Sequence, residues 1–277
     1  MARRWFLVSG ISVVALALVW LYLIFPSMTK LPADYAQTYH FEGTVQLYTG
    51  APTLASIATK MDRVVQATEI TADGTLLVKQ DISFFLAANG APLASAPGGS
   101  SLAALNSSET YALDRTTRAN VAGGDKSRSG QFTFPADVQQ QTYQYWSATT
   151  NSALPATFAG EDTVNGVKVY VFKIDSKGNT SPTNATQKID VAATIKVEPL
   201  SGTPVDSVLT TTVNQLLPTG SSMPVLINES HFTQATVDEM AKEAASNANL
   251  IMWGSVYGFW IAIVAGAALV VVGVLKK

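Results

Sequence analysis

The stretch TFAGEDTVNGVKVYVFKI, Thr157 to Ile174, reads as two strands joined by a tight turn. Val167, Val169 and Val171 alternate with Lys168, Tyr170 and Phe172, the period of two that a strand with two different faces requires. Asn165-Gly166 accepts the left-handed backbone of a two-residue turn, so Thr157–Val164 and Val167–Ile174 are predicted to pair antiparallel. The same grammar recurs along the chain. His40 to Tyr48 alternates Phe41, Val45 and Leu47 around Gly43, as a half-buried strand with a bulge at the glycine would. Asp73-Gly74 separates Val64–Thr71 from Thr75–Phe85, a second hairpin. Ile189–Val197 is joined to Val205–Val213 by Pro199-Leu200-Ser201-Gly202-Thr203-Pro204, whose prolines and glycine make it a turn.

Two stretches break the pattern. Ala91 to Asn106 is rich in Ala, Gly, Pro and Ser and reads as an exposed loop. Gln131 to Trp146 gathers Phe132, Phe134, Tyr143, Tyr145 and Trp146 around Pro135 and three glutamines. It reads as two core-packing strands about a loop, or as an aromatic platform for an apolar ligand such as a lipid.

This β-rich region lies between two apolar runs, Trp5 to Phe25 and Leu250 to Leu275, neither of which contains Asp, Glu, Lys, Arg or His. About 20 such residues at 1.5 Å rise cross a hydrocarbon core of roughly 30 Å as a helix. Arg3 and Arg4 precede the first run and Lys276 and Lys277 follow the second, which places both termini in the cytoplasm by the positive-inside tendency. The first run exceeds the apolar region of a signal peptide, and no small-residue cleavage site follows it, so it reads as an uncleaved anchor. The expected organisation is a tail at 1–4, a span at 5–25, an antiparallel β-rich extracytoplasmic domain at 26–235, a helical stalk at 236–249, a span at 250–275 and a tail at 276–277. For the β-rich domain a sandwich and a half-barrel both fit.

The stalk is predicted from Thr236-Val237-Asp238-Glu239, a capping box, followed by Met240, Ala241, Ala244, Ala245 and Ala248 at helical spacing. One helix from Val237 through Leu275 would be about 58 Å long and hold the domain at a fixed stand-off. In the second span Gly254, Gly258, Ala262 and Gly266 recur every four residues, a face of small side chains on which another helix can pack closely. The partner is either the first span, which carries Ser9, Gly10 and Ser12, or a second copy of the protein.

Composition excludes several functions. Without the four terminal basic residues, 14 Lys and Arg face 20 Asp and Glu, a net charge of about −6 that argues against nucleic acid as a partner. Cysteine is absent, so disulfides, thiolate metal ligands and thiol nucleophiles are excluded. The two histidines, His40 and His231, would meet if the first and last strands pair, but two histidines alone make a weak metal site. No G-x-S-x-G elbow, P-loop, H-E-x-x-H or EF-hand pattern occurs, and Glu161-Asp162, as strand neighbours, point to opposite faces. The expectation is therefore a non-enzymatic domain with no metal and no cofactor. Four N-x-S/T sequons, at Asn106, Asn179, Asn184 and Asn228, fall on the external side and are acceptors if the organism glycosylates asparagine.

The run Tyr111-Ala112-Leu113-Asp114-Arg115-Thr116-Thr117, then Phe134-Pro135, Thr142-Tyr143-Gln144-Tyr145-Trp146 and Leu154 through Tyr170 resembles the two-span PorA-type family of prokaryotic envelope proteins. Leu31-Pro32, Glu42-Gly43-Thr44, the Glu198 to Val205 turn and the two terminal spans fit it as well. That resemblance brings no catalytic residues; its name implies a pore. The residues themselves imply a cell-surface protein whose external domain has an envelope, structural or interaction role, with lipid binding as the alternative. A porin barrel requires an apolar outer band, whereas these strands alternate against Ser, Thr, Lys and Gln. The expected partners are the lipid bilayer, an envelope protein or a second copy through the spans, and a lipid.

Overall fold

The computed structural model describes residues 2–48, 50, 54–96 and 102–276, with the side chain of Ala2 excepted. They form two compact units, Leu31–Ala244 and the pair Met1–Lys30 with Ala245–Lys277.

The first unit is an antiparallel sheet of β1 (Ala36–Leu47), β2 (Ala55–Ile70), β3 (Leu76–Leu86), β4 (Ser107–Leu113), β5 (Asn120–Gly124), β6 (Tyr143–Ser147), β7 (Ser152–Val164), β8 (Val167–Thr180), β9 (Gln187–Val197), β10 (Pro204–Leu216) and β11 (Ser222–Phe232). The order β5-β4-β3-β2-β1-β11-β10-β9-β8-β7-β6 is two meanders joined where the first strand meets the last, with Phe41 opposite Phe232 and Leu47 opposite Leu226. The sheet does not close, yet it curls until both edges reach the same three residues. At one edge Asn120 N–H donates to Gly130 O (2.9 Å) and Phe132 N–H to Arg118 O (3.1 Å). At the other, Gln131 N–H donates to Gln144 O (2.6 Å) and Trp146 N–H to Gln131 O (2.8 Å). These bonds occupy backbone groups that an edge strand otherwise leaves open to pairing with another chain. One curled sheet is the half-barrel, not the two-sheet sandwich.

Both predicted hairpins form. Asn165 and Gly166 take φ of 48° and 82°, the paired left-handed values of a type I′ turn between β7 and β8. Gly43, by contrast, marks no bulge: β1 runs in unbroken register with β2 and β11. A Cβ there would lie 1.9 Å from Glu229 O, so the glycine serves a close approach of two backbones. The Ala91–Asn106 segment is more than an exposed loop, since Leu93 and Leu102 are fully buried in the core beneath β3. Residues 97–101 of that segment, and the terminal Met1 and Lys277, lie outside the described residues.

Helix α3 spans Gln234–Met252, and its start differs from the predicted cap by one turn. Thr233 Oγ1 accepts the Thr236 N–H (3.2 Å), making Thr233 the N-cap. Thr236 is buried instead, and its hydroxyl donates to His40 O (3.1 Å) while accepting from His40 N–H (3.2 Å). The residue thus ties the helix to β1, a tertiary use of a side chain that local spacing assigns to capping. Within this unit Met240, Ala241 and Ala244 are buried, the alanines against Val169 and Val205 and the methionine against the core cluster that holds Phe232. Asn165 Nδ2 donates to Asp238 Oδ1 (2.8 Å), so the β7–β8 turn also docks the helix.

The second unit pairs two helices long and apolar enough to cross a membrane. One is α1 (Ala2–Val19), a π turn at Trp20–Ile24 and α2 (Phe25–Met28). The other is the last turns of α3, a π turn at Trp253–Tyr257 and α4 (Gly258–Leu275). They run antiparallel: a Cβ on Gly273 would meet Leu7 N at 3.0 Å, one on Gly10 would meet Gly266 O at 2.6 Å, and one on Gly254 would meet the Phe25 ring at 2.7 Å. The two π turns are linked by Trp20 Nε1, which donates to Gly254 O (2.8 Å). Trp20, Tyr22, Trp253, Tyr257 and Trp260 stand exposed near that end, the placement of an aromatic belt at a membrane–water boundary.

Candidate functional site

Alternation along β2 puts Met61, Arg63 and Val65 on the inner face of the curled sheet, so a guanidinium enters an otherwise apolar row. Arg63 is half-buried, with its Cζ 5.6 Å from the Tyr39 ring centre and 5.4 Å from that of Phe132. Its Nε donates to Gln80 Oε1 (2.7 Å), and it forms no ion pair among the described residues. Beyond Gln80 the polar chain continues through the Tyr111 hydroxyl to Glu109 Oε2 (3.4 and 3.3 Å). That carboxylate is already matched by Arg128 (2.8 Å) and by Lys126, and it makes no ion pair with Arg63.

Beside Arg63 lies a cavity of about 30 Å³, bounded by Tyr35, Tyr39, Tyr145, Thr133 and Ser207 among others. Burial pushes the hydroxyls of Tyr35 and Tyr39 up from their ordinary pKa, so both remain neutral donors at physiological pH. Arg118, in the turn before β5, takes a left-handed φ of 58°. Its Nη1 donates to Phe134 O (2.9 Å), its buried Nε has no partner among the described residues, and burial lowers its pKa.

The predicted aromatic platform is largely structural. Phe132, Phe134, Tyr143 and Trp146 are buried, with Phe134 at the centre of a cluster 5.4 Å from Tyr143, 5.4 Å from Tyr145 and 4.6 Å from Phe172. Only Phe132 and Tyr145 of the five reach the cavity. The intended two strands are one, β6, preceded by irregular chain that the Glu198–Pro204 turn clamps. Asp137 N–H donates to Leu200 O (2.9 Å) and Val138 N–H to Pro199 O (2.7 Å). Gly202 (φ 72°) approaches so closely that a Cβ would lie 2.0 Å from Pro135 O. The buried Glu198 carboxylate shapes that turn by accepting from the backbone of Leu200 and Ser201 and from the Ser201 hydroxyl.

The first and last strands do pair, but each histidine takes its own carboxylate: His40 Nδ1 sits 2.7 Å from Asp62 and His231 Nε2 3.5 Å from Glu42. Glu161 and Asp162 likewise pair separately, with Lys168 and Lys196. Among the sequon asparagines, Asn106 and Asn184 are exposed, the former accepting from Phe84 N–H and the latter closing a turn onto Thr186. Asn179 spends its Nδ2 on Ile189 O and Ser176 (3.0 Å each). Asn228 is buried on the inner face, which leaves no room for a glycan in the folded domain. On the second span, Gly254 and Gly266 meet the first span, Gly258 meets the carbonyl of Trp253 in its own π turn, and Ala262 is half-buried. Gly273, seated against Leu7, extends the contact beyond the predicted stripe.

Sequence reasoning passed over Arg63. The signal is its parity with Met61 and Val65, obscured by Val64, which is 38% exposed on the opposite face and breaks the apolar–polar alternation.

A curled antiparallel sheet with an antiparallel pair of terminal helices, both long and apolar enough to cross a membrane, defines the class of the fold. The model of the family described as Porin PorA matches residues 5–275, nearly the entire chain, and the protein belongs to that family of porin-like envelope proteins. No curated protein sequence matches the chain. Among solved structures, DynF from the dynemicin biosynthesis pathway of Micromonospora chersina is 8% identical over 73% of this chain and 81% of its own, with a TM-score of 0.25. An N-terminal dehydratase from a difficidin assembly line is 10% identical over 75% and 82%, with a TM-score of 0.14.

Proposed function

We propose that the protein is a plasma-membrane-anchored envelope protein with both termini cytoplasmic, whose β-rich domain lies outside and acts by interaction rather than by catalysis. The observation that carries this reading is the glycine-packed antiparallel pair Gly10–Gly266 and Leu7–Gly273, which brings both ends of the chain, each basic, to one end of the helix pair. The filled interior supports an interaction role over lipid carriage. A lipid site needs several hundred Å³, whereas Phe134, Tyr143 and Phe172 pack on one another inside the sheet and the cavity beside Arg63 measures about 30 Å³.

The chain has no cysteine, so single-cysteine labelling tests the topology without background. Thr219→Cys, in the exposed β10–β11 turn, is expected to react with a membrane-impermeant maleimide on intact cells. Ala2→Cys is expected to react only after permeabilisation. The reverse pattern refutes the orientation. The family description favours one further reading, a pore, and single-channel recording of the purified protein decides it: sustained steps of conductance establish the pore, and a silent bilayer removes it.

A further inference from the structure

We propose that the cavity beside Arg63 is a binding site for a phosphate-class oxyanion, either free or as the head group of a lipid. The first support is charge. Arg63 is a half-buried guanidinium with no ion pair among the described residues, and the carboxylate at the end of its hydrogen-bond chain, Glu109, is already held by Arg128 and Lys126. A charge partly withdrawn from water without a counter-ion is costly, and an anion in the adjoining cavity offsets that cost with a charge-assisted hydrogen bond.

The second support is the arrangement of donors. Tyr39, Tyr145, Thr133 and Ser207, each of which carries a hydroxyl, line the same cavity from different elements, so the residues around an occupant offer donors from several sides. A tetrahedral oxyanion accepts in that manner, with more oxygens spread over more directions than a planar carboxylate offers. A cation is repelled by Arg63, and an acyl chain does not fit in about 30 Å³, so only a head group enters. Tyr145 and Ser207 at the cavity wall are themselves half-buried. Arg118, whose buried Nε lacks a partner among the described residues, adds a second positive charge acting on the same tyrosines, Tyr35 and Tyr39. This site does not depend on the topology proposed above.

The test is isothermal titration of the full-length protein in an uncharged detergent at pH 7, with inorganic phosphate in one arm and dihexanoyl phosphatidic acid in the other. Saturable binding of inorganic phosphate supports a free-anion site; saturable binding of the phosphatidic acid alone supports the same site serving a lipid head group. Arg63→Gln is expected to weaken the binding at least tenfold, and Arg63→Lys to restore part of it. Tyr145→Phe and Ser207→Ala each remove one hydroxyl, guard against a folding defect in the arginine variants, and are expected to weaken binding two- to fivefold with an unchanged circular dichroism spectrum. Absence of saturable binding in both arms overturns the proposal, as does binding that all of these variants leave unchanged.

Discussion

Replacing Gly43 by alanine adds one methyl group at the junction of the first and last strands. The added Cβ would sit 1.9 Å from Glu229 O and 2.8 Å from Glu229 C. Attractive contact begins near ~3.5 Å, so β1 and β11 would have to part by roughly 1.5 Å. That is about a third of the ~4.8 Å between paired strands, enough to lengthen the hydrogen bonds on either side. Overpacking of this kind costs up to about 3 kcal/mol, and each weakened ladder bond adds about 1. The β-propensity that alanine gains over glycine returns at most about 1 kcal/mol. The expected net loss is about 3 kcal/mol, or a fall in Tm of ~6–12 °C for a domain of this size. Thermal unfolding of the detergent-solubilised protein, followed by β-sheet circular dichroism, measures it. Gly74→Ala is the control, because its φ of 88° needs glycine while a Cβ there meets nothing within 4 Å; strain alone is expected to cost about 1 kcal/mol. A Gly43→Ala protein as stable as wild type would refute the argument that this glycine exists for the strand junction.

Three further outcomes follow from other parts of the molecule. Phe172→Ala removes the fully buried ring on which Phe134 and Phe158 pack, and is expected to cost about 3–5 kcal/mol in the same assay. Burial opposes ionisation of Glu109, but hydrogen bonds from Lys126 and Arg128 outweigh it and hold its carboxyl below the usual range. Its stabilisation is present above the unfolded glutamate pKa and lost as pH falls through the lower folded value, so Glu109→Gln is expected to flatten the acid limb of a stability–pH curve. Gly266→Leu places a large side chain where even a Cβ would lie 2.8 Å from Val14 Cγ2 and 2.9 Å from Gly10 O. Cross-linking between cysteines placed at Leu7 and Gly273 is expected to fall in that variant, and unchanged cross-linking would count against direct packing of the two spans.

The aromatic cluster shows where reading by composition stops. Sequence proposed Phe132 to Trp146 as either core or ligand platform; the structure makes four of the five core and brings two to a cavity whose charged member, Arg63, lies on a strand about 70 residues earlier. The Glu198–Pro204 turn was legible as a turn, but its role as a clamp on Pro135 and Val138 was not, because that role requires two segments some 60 residues apart to meet.

The sequence by itself determined the two apolar spans, the Asn165-Gly166 and Asp73-Gly74 hairpins and the antiparallel β class. These follow from local rules: side-chain period, length against bilayer thickness, and the few residues that accept a left-handed turn. Tertiary structure alone decided that β1 pairs with β11, that Gly43 makes their approach possible, that Thr236 binds β1 instead of capping its helix, and that Arg63 lies inside with no ion pair among the described residues. The physical reason is that closing a chain onto itself depends on which distant backbones can approach. The partners of a buried charge are set by that closure, and short-range periodicity carries no record of either.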